Sequence, residues 1–344
     1  MTIDESMGKY LDNLTKPQGS LGKLETYCRK MALIQNKVPP RITKKGIYVF
    51  AGDHGVTEEG VSLYPREVTY QMVLNFLAGG AAINALAEGT GWELTAVDAG
   101  VAADFPPDRD LRPVCSFVRA KVGPGSRNFC GEPAMSAGEL ESALDWGRKL
   151  AAEAKARGYD LAAVGDMGIG NTTTAAALLS AAGFPPDEIT GRGTGIGPEA
   201  MEHKRAVVKR GVALRNPPKT GEAILEQLGS YDLAMMTGFI LGLEGLGVGC
   251  VLDGFPVTAA AYMAYMINRG VSGYLFAGHL SQEPGHKPVL DAMGLDPIVS
   301  LDMRLGEGTG AVIGGHIIEL GVLAARKMAS FAEAGVSKSG TENR

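Results

Sequence analysis

Short apolar segments alternate with amphipathic ones along most of the chain. Residues 47–50 form a β-branched and aromatic run that ends in Gly-Asp-His-Gly, a pattern typical of a buried strand with polar residues at its carboxyl end. Residues 159–183 give an apolar run, a glycine-rich turn and a helical pattern in that order. Further strands are predicted in WELTAVDAGV, GCVLDGF and GYLFAGHL. This alternation predicts an α/β fold, an open and mostly parallel Rossmann-like sheet with helices on both faces, and ligands bind such sheets at the carboxyl ends of the strands.

Helical patterns dominate both ends of the chain. A first helix is predicted to end before Pro17, and a second follows with Ser20 as its N-cap. The predicted organisation is a small helical domain from residues 1–40 and 311–335, a large α/β domain over 41–310 and a flexible tail over 336–344.

Composition narrows the class of protein. Lys and Arg number 33 against 38 Asp and Glu, so the formal net charge of -5 gives no electrostatic footprint for nucleic acid. The N-terminus is polar, and the apolar windows are interrupted, so we expect a cytoplasmic protein with no targeting segment and no membrane span. Four cysteines without CxxC spacing make a disulfide framework or a cysteine metal site improbable.

Glycine is the outlier in composition, with 48 of 344 residues, which is roughly twice average usage. The glycines cluster in short runs between apolar segments, and one pair, Gly79 and Gly80, interrupts a helical pattern. Such runs indicate tight turns where the backbone approaches a ligand, which favours an enzyme over a scaffold.

The turn over residues 165–170 is a candidate anion site. It joins a predicted strand to a predicted helix that begins with Asn171 or Thr172 as its cap, and free N–H groups in a first helical turn bind phosphate. The alternative is that Asn-Thr-Thr only caps the helix and that the glycines allow close packing. The residues alone leave both open.

A second glycine-rich loop, GRGTGIG over 191–197, precedes a helix that carries Lys204, Arg205 and Lys209. These cations suit a phosphate, or they form a solvated helix face. The chain contains no P-loop, and GRGTGIG lacks the preceding strand and the ribose-binding acid of a dinucleotide site. The sequence therefore disfavours an NAD-dependent oxidoreductase.

Two further stretches carry polar chemistry. Asp53 and His54 could form a metal site or an acid–base pair with His279 and His286, but no HxH or HxxxH spacing supports a metal, and a histidine that orients a loop is the preferred interpretation. In RLGEGTGA, Glu307 stands among glycines and apolar neighbours. If it is buried there, desolvation makes it a better base near neutral pH; the alternative is a glutamate in a surface loop.

Taken together, these runs resemble the nicotinate-nucleotide–dimethylbenzimidazole phosphoribosyltransferase family. The resemblance extends in order from residue 14 to residue 311. It rests on LTKPQGSLGKLE, FAGDHGV, EGVSLYPREVTYQMVLNFLAGGAAIN, GDMGIGNTTTAAA, GRGTGI, MTGFILG, VLDGF, SQEPGH and RLGEGTGA.

The resemblance implies a reaction and roles for residues. A benzimidazole nitrogen attacks C1′ of nicotinate mononucleotide with inversion, to give α-ribazole 5′-phosphate and nicotinate in cobalamin nucleotide-loop assembly. Glu307 matches the general base, and Asp166 stands where many members have Glu, which affects its role as a second acid. Phosphate and nucleotide binding are expected at Gly168, Gly170, Asn171, Thr172, Thr173, Gly193 and Lys204.

The acceptor pocket is expected at Tyr64, Met72 and Leu305. Some members have Ser and Gln at positions 64 and 72, so this pocket is more aromatic, and a Tyr and a Met suit a flat base. The family also implies a homodimer, no cofactor, no metal and only small-molecule partners. Adenine or a phenol as the acceptor, with or without a second paired subunit, and a non-catalytic nucleotide-binding homologue are the alternatives; retention of Glu307 disfavours the homologue.

Overall fold

The computed structural model describes residues 1–111, 113–193 and 195–337, and seven strands within them form one sheet. All neighbouring pairs are parallel. The strands are β1 (Lys45–Gly52), β2 (Glu93–Gly100), β3 (Ser116–Arg119), β4 (Leu161–Met167), β5 (Gly249–Leu252), β6 (Leu275–Leu280) and β7 (Pro297–Ser300).

The order of the strands confirms the predicted fold class. The sheet runs β3-β2-β1-β4-β5-β6-β7, so the chain first builds outward from β1 and then returns to its other side with β4. The direction of winding therefore reverses between β1 and β4. In open parallel sheets a crevice opens at such a reversal, beyond the carboxyl ends of the strands.

Strand β1 shows why both faces of the sheet are covered. Tyr48 and Phe50 point into one apolar cluster, whereas Ile47 and Val49 point into a second cluster on the opposite face, and all four are fully buried. A strand buried on both faces has the continuous apolar run that predicted it.

Helices cover both faces. The cluster with Ile47 is covered by α1 (Ile3–Asp12), α2 (Lys23–Gln35), α3 (Val68–Ala78), α4 (Ala82–Thr90) and α14 (Thr309–Lys327). The cluster with Tyr48 is covered by α6 (Ala137–Ala156), α7 (Asn171–Ala181), α8 (Pro186–Ile189), α9 (Pro198–Arg215), α10 (Gly221–Leu228), α11 (Tyr231–Gly242), α12 (Phe255–Ile267) and α13 (His286–Ala292). Two further short helices are α5 (Asp108–Leu111) and α15 (Phe331–Ala334).

The terminal helices contact one another, as the sequence predicts. Tyr10 Oη donates a hydrogen bond of 2.9 Å to the carbonyl of Ala325, and Leu14 pairs with Ser330 in an antiparallel bridge. Helix α14 also lies directly on β6, where a Cβ on Gly314 would stand 2.4 Å from the carbonyl oxygen of Gly278. The division into two domains stays a prediction, and most of the predicted tail lies beyond residue 337, outside the described residues.

The predicted N-cap of the second helix is wrong. Helix α2 begins at Lys23 with Gly22 as its N-cap, in a backbone conformation with φ of 55°. Ser20 instead belongs to a turn, in which its N–H donates to the carbonyl of Pro17. The carboxylate of Glu25 accepts from the N–H of Leu21, so the segment before the helix is held by a turn and a side chain rather than by a serine cap.

One stretch, Val68–Thr90, has the length and the mean hydropathy (1.2) of a membrane span. It is two helices rather than one, because Gly79 ends α3 with φ of 83° and the N-cap of α4 is Ala81. Phe76, Leu77 and Ile83 from this stretch are buried in the cluster on the sheet. Length and composition make the stretch resemble a span, while these three side chains belong to the core on the sheet.

Helices α6 and α11 approach each other through two glycines. A Cβ on Gly147 would stand 2.1 Å from the carbonyl oxygen of Met235, and one on Gly238 would stand 2.2 Å from that of Leu144. Gly138, on the same helix as Gly147, has no heavy atom within 4 Å of its Cβ position.

Gly147→Ala should therefore lower the free energy of unfolding by about 1–3 kcal/mol, since the added methyl forces the two backbones apart. Gly138→Ala is the matched control and should leave stability unchanged or raise it by up to about 1 kcal/mol through helix propensity. Denaturant unfolding of both variants measures the difference. Equal effects would mean that the α6–α11 contact is not tight in solution.

Candidate active site

A cavity lies at the reversal point of the sheet, beyond the carboxyl ends of β1, β4, β5 and β6. It is bounded by the turn after β4, by the loop before α9 and by the loops after β5, β6 and β7. The predicted site residues that line it are Asp166, Gly168, Gly170, Asn171, Thr172, Thr173, Gly193, Lys204 and Leu305. Residues far apart in the sequence are thus brought to one place, as the predicted sheet required.

Lys204 is buried inside this cavity rather than on the solvated face of its helix. It is 1% exposed, and its Nζ donates a hydrogen bond of 2.8 Å to Thr172 Oγ1. Burial lowers the pKa of Lys204 to about 8, while the carboxylate of Glu283 acts in the opposite direction. The neighbouring Lys209 is half-exposed and pairs with Asp187.

The loop before α9 closes over Lys204. Gly193 has φ of 53°, and its Cβ position lies 3.0 Å from Thr172 Oγ1 and 3.4 Å from Lys204 Nζ. Its N–H donates a hydrogen bond of 2.8 Å to Glu283 Oε1. Thr173 Oγ1 is buried without a hydrogen-bond partner. A cation, hydroxyls and a close backbone are therefore gathered at the start of α7, where anions bind well.

The predicted caps of α7 are wrong. Its N-cap is Gly170, with φ of 95°, which favours glycine. Asn171 instead links two parts of the site: its Nδ2 donates a hydrogen bond of 2.5 Å to Asp166 Oδ2, and its Oδ1 accepts one of 2.7 Å from the N–H of Thr172. Asp166 lies at the end of β4 and not in the turn after it.

Asp166 is an acid held in a low-dielectric site. It is 2% exposed, and burial raises its pKa to about 7, with Asp232 and Asp253 adding to the increase and Asn171 and His54 opposing it. A carboxyl group with a pKa near neutrality can both hold and release a proton under ordinary conditions.

His54 lies beneath the turn after β4. Its Nε2 is 3.2 Å from Asp232 Oδ2, its Nδ1 shares a hydrogen bond of 2.9 Å with Thr174 Oγ1, and both ionisable side chains are fully buried. A Cβ on Gly168 would stand 2.5 Å from Nε2, so the turn rests on the ring. Burial disfavours the imidazolium, but the carboxylates of Asp232 and its neighbours outweigh it and raise the pKa of His54.

This geometry gives no support to the alternative that Asp53 and His54 form a metal site. Within the described residues no group of three or more His, Cys, Asp or Glu side chains is arranged around a common point. Both nitrogens of His286 are engaged, because Nδ1 accepts from the N–H of Ser281 at 2.8 Å and Nε2 is 2.9 Å from Thr258 Oγ1. The contact between His54 and the turn at Gly168 agrees with the loop-orienting interpretation, which stays a prediction.

Glu307 is buried, which removes the surface-loop alternative. It is 5% exposed and follows Gly306, which lines the cavity. Burial raises the pKa of its carboxyl, an effect that the N–H of Ile83 opposes and Asp253 increases. Its Oε2 is buried without a hydrogen-bond partner. A desolvated carboxylate with a free oxygen is suited to accept a proton.

The backbone at Glu307 is strained. Its φ is 63°, between Gly306 at 89° and Gly308 at 87°. A left-handed glutamate costs about 1–2 kcal/mol, and such residues concentrate at functional sites. The fully buried Asp253 holds the run in place, since Oδ2 accepts from the N–H of Gly308 at 2.9 Å and Oδ1 accepts from Gly310 at 2.8 Å.

The three residues predicted for the acceptor pocket are not together in this structure. Leu305 lines the cavity and is 58% exposed. Tyr64 is 51% exposed and faces a separate depression with Arg66. Met72 packs against the apolar cluster on the side of α14. Among the described residues only Leu305 of the three borders the cavity, so this pocket stays a prediction.

Three buried acids were not assigned roles from the sequence. Glu283 and Asp253 lay within the quoted runs SQEPGH and VLDGF, and an acid directly after an apolar strand is a usable signal for Asp253. Asp232 gave none, because an acid in the first turn of a helix is ordinarily explained by the helix dipole. Arg192, Ser281 and Arg304 also line the cavity.

Comparison with known proteins gives one consistent result. A family model described as phosphoribosyltransferase matches residues 1–336. The nicotinate-nucleotide–dimethylbenzimidazole phosphoribosyltransferase of Geobacter sulfurreducens is 48% identical over 330 residues, which cover 95% of this chain and 92% of that protein. The protein of the same name from Thermus thermophilus is 46% identical, with coverage of 95% and 96%. The crystal structure of CobT from Thermus thermophilus superposes with a TM-score of 0.92 at 43% identity, covering 98% of this chain and 99% of that one.

Asp166→Asn should make stability less dependent on pH. The folded-state pKa of about 7 exceeds the ordinary value of 3.8, so between those values the unfolded chain ionises while the folded carboxyl keeps its proton. Stability is therefore lost as the pH rises through that window, by up to about 4 kcal/mol. Because an amide does not ionise, the increase in Tm of Asp166→Asn over the wild type should be larger at pH 8 than at pH 5, as measured by calorimetry.

Asp104→Asn is the control for this experiment. Asp104 is fully exposed, and its hydrogen bond with Lys121 lowers its pKa. Its substitution should produce no gain in Tm at pH 8 relative to pH 5. Equal changes in Tm for Asp166→Asn at the two pH values would contradict the raised pKa.

Proposed function

The chain belongs to the nicotinate-nucleotide–dimethylbenzimidazole phosphoribosyltransferase family, and from this premise we propose the reaction that its cavity serves. It transfers the 5-phosphoribosyl group of nicotinate mononucleotide to 5,6-dimethylbenzimidazole. The products are α-ribazole 5′-phosphate and nicotinate. The chain is accordingly a pentosyl-transferring enzyme of cobalamin nucleotide-loop assembly.

The observation that carries the proposal is the pairing of two unlike features at one cavity. On one side lie a buried ammonium, threonine hydroxyls and the start of α7. Directly after the lining residue Gly306 lies the buried carboxylate of Glu307, which has an unpaired oxygen and a strained backbone conformation. An anion-binding half and a proton-accepting half are what a phosphoribosyl donor and an N–H nucleophile require together.

In the proposed reaction, Glu307 is the general base. One benzimidazole nitrogen forms the new bond to C1′ with its lone pair, from the face opposite nicotinate, and this inverts the anomeric carbon. The C1′–N bond to nicotinate breaks, and its electron pair neutralises the pyridinium as nicotinate leaves. The proton on the other benzimidazole nitrogen passes to Glu307 Oε2, whose raised pKa favours its acceptance.

The phosphate of the donor is proposed to bind between α7 and the loop before α9. Lys204 supplies the charge, Thr172 and Thr173 supply hydroxyls, and Gly168, Gly170 and Gly193 allow the backbone to come close. Asn171 connects the proposed phosphate site to Asp166, because its Nδ2 donates a hydrogen bond to Asp166 Oδ2. An anion beside Lys204 offsets the burial that depresses its pKa, so binding favours the charged form of the lysine.

Asp166 is proposed as a second acid beside the base. Asp166 lies at the end of β4, and its Oδ1 is 4.0 Å from the position that a Cβ on Gly306 would take. It therefore lies next to the loop that carries Glu307. With a pKa of about 7 it can donate a hydrogen bond to substrate as well as accept one. Tyr64, Met72 and Leu305 remain the proposed contacts of the acceptor base.

Further aspects rest on family resemblance. We propose a homodimer and a cytoplasmic location, with small molecules as the partners and neither nucleic acid nor membrane among them. We propose that the reaction uses no cofactor and no metal. These statements go beyond the geometry of the cavity and are open to direct measurement by sedimentation, cell fractionation and metal analysis.

The reaction itself is tested with nicotinate mononucleotide and five acceptors: 5,6-dimethylbenzimidazole, benzimidazole, adenine, phenol and p-cresol. We expect α-ribotide formation with the benzimidazoles, separated by liquid chromatography. Glu307→Gln should lower kcat by about 10²–10⁴-fold, because an amide cannot accept the proton. Product from adenine or a phenol alone would establish the alternative acceptor, and no product from any acceptor would support a non-catalytic homologue.

Lys204→Met tests the phosphate half separately. Removing the buried cation should raise KM for nicotinate mononucleotide by about 10–100-fold, the range lost with one charged hydrogen bond. Lys209→Met is the matched control on the same helix, since Lys209 pairs with Asp187 away from the cavity, and its KM should match that of the wild type. Steady-state kinetics give both values. An unchanged KM in Lys204→Met would mean that the phosphate binds elsewhere.

A further inference from the structure

The loop SQEPGH, residues 281–286, follows β6 and has no role in the reaction as proposed so far. Its own side chains hold it in shape. The N–H of Ser281 donates a hydrogen bond of 2.8 Å to His286 Nδ1, and the N–H of Glu283 donates one of 3.3 Å to Ser281 Oγ. Burial lowers the pKa of His286 to about 3, so the ring is neutral and free to accept the bond from Ser281. The loop is therefore a firm support for whatever it contacts.

Two neighbouring loops of the cavity are attached to this support. The N–H of Gln282 donates a hydrogen bond of 3.1 Å to the carbonyl of Met303, on the segment that leads to Glu307. Glu283 Oε1 accepts one of 2.8 Å from the N–H of Gly193, in the loop before α9. The first contact uses only backbone atoms, whereas the second uses a side chain. A substitution of Glu283 can therefore release one loop and leave the other attached.

The carboxylate of Glu283 fits closely against the loop before α9. The side chain is buried, and its Oε2 occupies the space that a Cβ on Gly191 would take. Gly193, which the carboxylate holds, covers the proposed phosphate site: its Cβ position is 3.0 Å from Thr172 Oγ1 and 3.4 Å from Lys204 Nζ. The contact with Glu283 thus fixes the backbone that lies over the buried cation and the threonine hydroxyl.

We propose that Glu283 is a positioning residue for the donor: it holds residues 191–193 over Lys204 and Thr172, so that the phosphate enters a site whose wall is already in place. The inference rests on the proposed location of the donor phosphate. It gives a function to the run SQEPGH, which neither the phosphate contacts nor the general base explains.

The charge of Glu283 acts separately from this contact, and its two consequences oppose each other. A carboxylate near an anion site repels phosphate, so its loss would strengthen binding. Burial lowers the pKa of Lys204, however, and the carboxylate of Glu283 opposes that effect, so loss of the charge would also leave less of the lysine protonated. The test must therefore vary the charge and the contact independently.

Glu283→Asp and Glu283→Gln vary them independently. The aspartate keeps the charge but is one methylene too short to reach the N–H of Gly193, whereas the glutamine loses the charge and keeps the acceptor oxygen. Titration calorimetry with nicotinate mononucleotide and no acceptor measures Kd. Glu283→Asp should raise Kd by about 5–20-fold, the range for one lost hydrogen bond and the ordering of a loop on binding, and Glu283→Gln should stay within about twofold of the wild type. An unchanged Kd in Glu283→Asp, or a larger increase in Glu283→Gln than in Glu283→Asp, overturns the inference.

The reaction gives a second measurement. At saturating donor, kcat of Glu283→Asp should stay within about twofold of the wild type, because the segment before Glu307 keeps its backbone contact with Gln282. A protein that is only destabilised would show the reverse pattern, with a lower kcat and an unchanged Kd. If Glu283→Asp does not fold, Glu283→Ala replaces it under the same criteria, with Glu283→Gln as its reference.

Hydrogen exchange tests the contact without any substrate. Peptides that contain Gly193 should exchange about tenfold faster in Glu283→Asp than in the wild type and at the wild-type rate in Glu283→Gln. Asp160→Ala is the matched control, because Asp160 accepts a hydrogen bond of 2.8 Å from the N–H of Thr43 at the amino end of β4, away from the cavity. It should change neither the exchange at Gly193 nor Kd. Unaltered exchange in Glu283→Asp contradicts the proposed contact.

The double variant Lys204→Met with Glu283→Asp separates this inference from the proposed function. If Glu283 acts through the phosphate site, adding Glu283→Asp to Lys204→Met should raise Kd by no more than about twofold. Full multiplication of the two single effects overturns the inference while the reaction stands. Failure of the proposed function is seen instead in the wild type, where no α-ribotide would form, or in Lys204→Met alone, where KM would not change.

Discussion

The three hydrogen bonds that the buried Asp253 accepts from the start of α14 fix the geometry of the loop that carries Glu307. They come from the N–H groups of Gly308, Gly310 and Ala311 at 2.9, 2.8 and 3.2 Å. Because Asp253 follows β5 directly, the sheet itself sets where α14 begins and where the left-handed run before it must turn. The ring of His279 fills the space that a Cβ on Gly310 would need, so the fit tolerates no larger residue there.

Most of the buried acids of the site lie apart from its buried lysine. Asp166, Asp232, Asp253 and Glu307 are buried around the ends of β1, β4 and β5, whereas Lys204 is buried at α7 and α9 with the carboxylate of Glu283 near it. Burial raises the pKa of Asp166 to about 7, and the neighbouring carboxyls of Asp232 and Asp253 add to the increase. His54 offsets part of this repulsion from beneath. The proposed proton acceptor, Glu307, therefore has an acid, Asp253, near it, whereas the proposed anion site holds the ammonium of Lys204 near the carboxylate of Glu283.

The sequence predicted the fold and nine of the residues that line the cavity, but not their local geometry. Continuous apolar runs that end in glycine turns predict a parallel sheet, because strands that are buried on both faces carry apolar residues throughout. The predicted cap of α7 was wrong because, in the sequence, a glycine in the left-handed conformation such as Gly170 looks the same as a glycine that only allows close packing. Lys204 was predictable in principle, since helical spacing puts it with Met201, Val207 and Val208 on the buried face of α9. The exposure of Tyr64 depends on loop placement, which periodicity does not encode.

The strain at Glu307 has a structural reason. Burying a carboxylate deeply in the core would desolvate it but would also remove it from substrate, whereas Glu307 is held in a tight loop between two left-handed glycines, the first of which, Gly306, lines the cavity. The cost of about 1–2 kcal/mol is comparable to that of one charged hydrogen bond, and Asp253 accepts three from the adjacent backbone. The conformation is therefore held from the sheet side by Asp253. Burial raises the pKa of the Glu307 carboxyl, and its unpaired Oε2 is the atom suited to accept a proton.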